Sequence, residues 1–194
     1  MTENKIKVIF LGLAAVFSFV ARLLPHLPNF APIGALAIMA GTYLPRKYAL
    51  LLPLTVMLAS DYFIGFYDIK IMLAVYLSFL LYVLLGNIFG RDRKVGKLTG
   101  GAFLGSLLFF LITNFAVFAF TSMYSKDFSG LMMSYTLALP FFKNTLLADL
   151  FYTAAFFAAY ELALKKITLR KPILPAFVKL AKPGSEFLTG RSPI

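Results

Sequence analysis

The chain contains no cysteine and a single histidine. Disulfides, thiolate metal centres and cysteine nucleophiles are therefore excluded, and one histidine alone cannot build a His-rich metal site. Charge is scarce too. Charged residues make up 14% of the 194 positions, against about 25% in an ordinary soluble domain. No glycine-rich phosphate loop ending in Lys-Ser/Thr occurs, so ATP hydrolysis by that route is closed. His26 has no carboxylate neighbour in sequence. Nothing suggests a redox cofactor, and there is no internal repeat or low-complexity segment. These absences point to a chain that is not an enzyme and has neither cofactor nor metal.

What the chain has instead is apolar sequence, 60% of it hydrophobic. Runs of about 17–25 apolar residues recur, the mark of membrane-spanning helices. Six spans are expected, at about 7–24, 31–45, 48–66, 69–89, 98–120 and 144–164. The opening "MTENKIKVIFLGLAAVFSFVA" has the outline of a signal peptide, two lysines before an apolar run, and is read as the first span.

The basic residues sort by side. Of the 19 Lys and Arg, only Arg22, Lys70, Lys126 and Lys143 fall at the ends away from the termini; the other 15 share the terminal side. Cytoplasmic loops carry the excess of Lys and Arg, so both termini are expected in the cytoplasm. The formal charge of +11 is thereby explained without nucleic acid, and the partner it implies is the lipid bilayer. The reading is an all-α integral membrane protein with a six-helix domain at 1–166 and a basic cytoplasmic tail at 167–194. Within the tail, Leu174 to Lys182 could form one or two turns on the lipid surface.

The second span is short. The stretch before it, "ARLLPHLPNFAPIGALA", carries Pro25, Pro28 and Pro32, which cannot continue a helix. The loop is expected to dip into the membrane and to start the second helix below the surface. Backbone of that kind is tolerated at depth only beside protein or a water-filled cavity.

The other polar residues gather at the same level. Arg22, His26 and Asn29 lie at the end of the first span and in its loop. Asp61 closes the third span, Asn114 lies in the outer half of the fifth, and Asn144 and Asp149 open the sixth. Charges in a bilayer need partners or water, and Arg22 could pair with Asp61 or Asp149. Two readings follow: an ion pair that staples helices, or a polar ligand cavity. Tyr62, Phe63, Phe66, Tyr67, Tyr124, Tyr135, Phe141 and Phe142 sit at this level as well, as an interfacial aromatic belt or as surfaces for a flat ligand. The segment from Thr121 to Lys143 is expected to be a long external loop, a lid candidate. Small residues four apart (Ala14/Ser18, Ala37/Gly41, Gly101/Gly105) permit close helix packing or docking of a partner.

The segments "RLLPHLPNFAPIGALA", "LASDYFIG" and "YTLALPFFKNTLLADLFY" resemble a family of bacterial membrane proteins described as transport proteins. That family is similar to the substrate-binding S components of energy-coupling factor (ECF) vitamin transporters. The resemblance covers about residues 20–165. It implies six helices, cytoplasmic termini, and an external pocket for a small-molecule substrate. It also implies work alongside a coupling subunit and two ATPases. A related branch binds cobalamin through a cysteine on cobalt. This chain has no cysteine, so that chemistry does not carry over, and His26 is the alternative ligand for a cobalamin-related compound. The expected site residues are Arg22, His26, Asn29, Asp61, Asn114, Tyr135, Asn144 and Asp149. The expectation is a micronutrient-binding subunit, with a structural or assembly subunit as the alternative.

Overall fold

A computed structural model describes residues 3–92 and 94–169. Most of the expected tail, including Leu174 to Lys182, lies outside the described residues. Six α-helices and one short 3-10 turn account for the fold, and no strand occurs among the described residues. The helices are α1 (Glu3–Leu23), α2 (Ile33–Tyr43), α3 (Arg46–Ile64), α4 (Ile69–Phe89), α5 (Val95–Phe120) and α6 (Phe128–Leu169). Five of them are long and apolar enough to cross a membrane; α2 is not.

At 11 residues, α2 is about 16 Å long, half the ~30 Å hydrocarbon core. It forms the centre of the bundle, with Ala35 to Ala40 entirely buried. An apolar helix without a polar face can only be stable in such a place. It runs parallel to α4: Gly34 meets Tyr82 at one end and Thr42 meets Gly90 at the other. Tyr82 lies about 20 Å down α4 from Ile69 at ~1.5 Å per residue, so α2 starts deep inside the bundle. The loop with the three prolines leads into this buried start.

The small residues serve this packing. Gly41 lies against the Val83 carbonyl and Gly86 against the Ile38 carbonyl, backbone on backbone. Thr42 Oγ1 adds a hydrogen bond to the Gly86 carbonyl at 3.0 Å. Ala14 and Ser18 are buried, and Gly105 faces the Tyr82 ring, so these positions pack the bundle internally.

The sixth helix corrects an expectation. The lid loop at 121–143 is mostly helix, because α6 begins at Phe128 and runs for 42 residues, about 63 Å. Pro140 lies inside it. A proline removes one donor and crowds one carbonyl, and here the helix continues through it, packed on α5 through Phe110 against Tyr135 and Phe142. The helix start is set by Asp127, whose Oδ1 accepts from the Gly130 amide at 2.7 Å and from the Ser125 hydroxyl at 2.9 Å.

Those bonds, the Gly130 amide first and the Ser125 hydroxyl second, hold the Asp127 carboxyl below its ordinary value of 3.8. A carboxyl depressed in the folded state stabilises above its unfolded pKa, and that stability is lost as pH falls through the folded value. The first turn of α6 should therefore fray in acid below about pH 4. Protection of the Gly130 and Leu131 amides, taken relative to their intrinsic exchange rates, should fall there in the native chain, and in Asp127→Asn it should no longer depend on that titration.

Candidate functional site

Above the buried start of α2, at the end of the bundle where α1 finishes, lies a cavity of about 400 Å³. Its rim carries Arg22, His26, Asn29 and Tyr67; Ile33, Met57, Ile64, Val75, Phe79 and Phe109 line its walls; Gly34, Tyr82, Thr145 and Asp149 complete it. His26 and Asn29 are exposed, whereas Ile33, Tyr82 and Asp149 are at most 2% exposed. The site thus has a wet rim, apolar walls and a buried polar floor.

Two polar clusters frame it. In the first, Arg22 Nη2 donates to Asp61 Oδ1 at 2.5 Å and Tyr76 OH donates to Asp61 Oδ2 at 2.8 Å. The other guanidinium nitrogen touches the Met57 sulfur. Asp61 is buried behind the arginine and does not reach the cavity wall. Both carboxylate oxygens are engaged, Oδ1 by Arg22 and Oδ2 by Tyr76.

In the second cluster, Tyr82 OH donates to Asp149 Oδ2 at 2.5 Å, and the Ser106 hydroxyl stands 2.7 Å from the same oxygen. Three helices (α4, α5 and α6) supply these groups. The first turn of α2 completes the floor. Its N-cap is Pro32, with no side-chain cap, so the amides of that turn keep the partial positive charge of a helix start. Gly34 lets the carboxyl approach, since a Cβ there would overlap Asp149 Oδ1.

The loop between α1 and α2 is pinned rather than loose. Asn29 adopts a left-handed φ of 61°, a conformation asparagine tolerates better than most residues. Asn144 Nδ2 donates to the Pro28 carbonyl at 3.0 Å, tying the loop to α6. His26 Nδ1 donates to the Leu24 carbonyl at 2.7 Å.

Of the eight expected site residues, Arg22, His26, Asn29 and Asp149 meet around the cavity. Asp61 and Asn144 stand behind it as supports. Two others do not line it. Asn114 gives its amide to the Phe110 carbonyl at 2.7 Å and lines a smaller recess of about 90 Å³ that shares Asn29, Phe109 and Thr145 with the cavity. Tyr135 donates to the Leu111 carbonyl at 2.9 Å and is absent from the cavity wall. Side chains of this kind inside an apolar helix pair satisfy the backbone of their own or the next helix, so a complete polar ring does not form. Tyr62, Phe63 and Phe66 point outward, as a belt would; Tyr67 turns to the cavity.

The fold and the geometry define a multi-pass membrane protein with a closed-floored cavity at one end. The chain belongs to a family of unknown function, DUF6580, whose model matches residues 2–174. No curated protein and no solved structure matches it.

Proposed function

We propose that this chain is the substrate-binding subunit of a bacterial uptake system for a small micronutrient, a vitamin or vitamin-like heterocycle. Six helices would lie in the cytoplasmic membrane with both termini inside, and a separate coupling subunit with ATPases would supply energy. The observation that carries the reading is where the cavity stands. It opens at the end of the bundle that holds Arg22, Lys70, Lys126 and Lys143, while Lys5, Lys7, Arg46, Lys47, Lys94, Lys97, Lys165 and Lys166 lie at the other ends of the same helices. By the charge asymmetry of membrane proteins, the cavity then faces outward.

The volume supports a modest ligand. Ligand pockets run about 300–1,000 Å³, and 400 Å³ is near the lower limit. A one- or two-ring compound suits it better than a whole cobalamin-related molecule. Apolar walls with a few convergent polar groups are the usual build of such sites.

A structural or assembly subunit is the second reading, favoured by one observation: Arg22, Asp61 and Tyr76 already satisfy one another. Native mass spectrometry separates the two. Protein purified from its own membranes should carry a noncovalent small molecule, or retain one from a mixture of vitamins. Protein that stays empty in both tests, while folded, supports the structural reading instead.

A further inference from the structure

The charges around the cavity do not balance. Arg22 is paired with Asp61, and the other ion pair among the described residues, Lys97 with Asp92, is elsewhere. Asp149 has no basic partner among the described residues. Its Oδ2 takes the Tyr82 hydroxyl and faces that of Ser106, whereas Oδ1 lies against Gly34 and both of these bonds leave it unused among the described residues. Ser106 is also 2.9 Å from the Ala102 carbonyl of its own helix, and its one proton serves these two acceptors in turn. A buried carboxyl supported so lightly is costly to keep. The start of α2 offsets about half a charge and leaves the remainder on the cavity side.

From this juxtaposition we propose that the cavity takes ligands bearing a basic nitrogen, which donates to Asp149 Oδ1. The inference rests on reading the cavity as a ligand site and adds the chemical class. A protonated nitrogen brings the missing counter-charge, and hydrogen bonds between charged partners are about twice as strong as neutral ones. If the carboxyl holds a proton, an unprotonated amine takes it on entry: the O–H bond breaks, an N–H bond forms, and the same ion pair results. Phe79, Phe109 and Tyr82 also line the cavity, and aromatic rings are favourable neighbours for a cation.

Three probes of nearly one shape test it on the full chain in nanodiscs: benzamidine, benzamide and benzoate, by titration calorimetry. Benzamidine should bind at least tenfold more tightly than benzamide, with benzoate weakest. Asp149→Asn, which keeps the shape, should bring benzamidine to the level of benzamide. Equal binding of the three would overturn the proposal, as would a benzamidine preference that survives in Asp149→Asn. Tightest binding of benzoate would also overturn it, because the α2 N-terminus would then set the charge preference. Those results leave the cavity a ligand site. Failure of all three probes to bind would remove that reading itself, and this proposal with it. The wild-type ranking decides even if the variant folds poorly.

Discussion

Asp61→Ala should cost about 3 kcal/mol or somewhat more of folding stability, near the lower end of the ~3–5 kcal/mol typical when one member of a buried pair is removed. The carboxylate is 1% exposed and its arginine 16%. Its loss strands a guanidinium and the Tyr76 hydroxyl together, but Arg22 borders the cavity and water there softens the penalty. The exposed pair Lys97–Asp92, at 54% and 49% exposure, is the contrast: Lys97→Ala should cost no more than about 1 kcal/mol. Replacing both buried partners, as Arg22→Met with Asp61→Leu, should restore most of the stability, since an apolar pair of similar volume avoids the desolvation penalty. Denaturant unfolding in detergent measures all three. A loss below about 1 kcal/mol for Asp61→Ala would mean that the pair is screened as surface pairs are.

The sequence brought Arg22 to the level of two acidic residues but did not choose between them. The choice depends on Tyr82 and Ser106, which occupy Asp149. Both lie inside oily runs, where a hydroxyl gives no sign of which way it faces. The cavity walls were hidden for a similar reason. In α4 and α5 nearly every position is apolar, so periodicity does not separate Phe79 and Phe109, which line the cavity, from residues that face lipid. The short buried α2 was legible because three prolines bound its approach. The long α6 was not: the cap that starts the helix is a single aspartate, Asp127, in an otherwise ordinary polar stretch. Asn29 was legible as polar, but its left-handed backbone was not. That conformation makes Asn29→Gly the better probe of its side chain, because alanine there adds about 1–2 kcal/mol of strain.

Gly86→Ala should unfold the protein more readily, by up to about 2 kcal/mol net, although alanine is the better helix former. Two effects oppose each other. Intrinsic propensity favours alanine over glycine by about 1 kcal/mol inside a helix. Against it, the new methyl would occupy the space of the Ile38 carbonyl oxygen and approach the Ile38 Cα, and overpacking a close-fitted interior typically costs about 1–3 kcal/mol. Here the obstacle is backbone, which has no rotamer to change. Relief therefore requires α2 to move bodily away from α4, yet α2 is enclosed, with Ile38 and its neighbours fully buried. The displacement would also reach the cavity, because Gly34 on α2 and Tyr82 on α4 form adjoining parts of its floor. Gly12→Ala is the matched control: nothing lies within 4 Å of a Cβ at that position of α1, so propensity acts alone and the variant should be as stable as wild type or slightly more so. Thermal unfolding of the two variants in one detergent compares them directly. Should Gly86→Ala melt with Gly12→Ala, the two helices would have room to separate, and the backbone contact between α2 and α4 would not be what fixes the depth of the cavity floor.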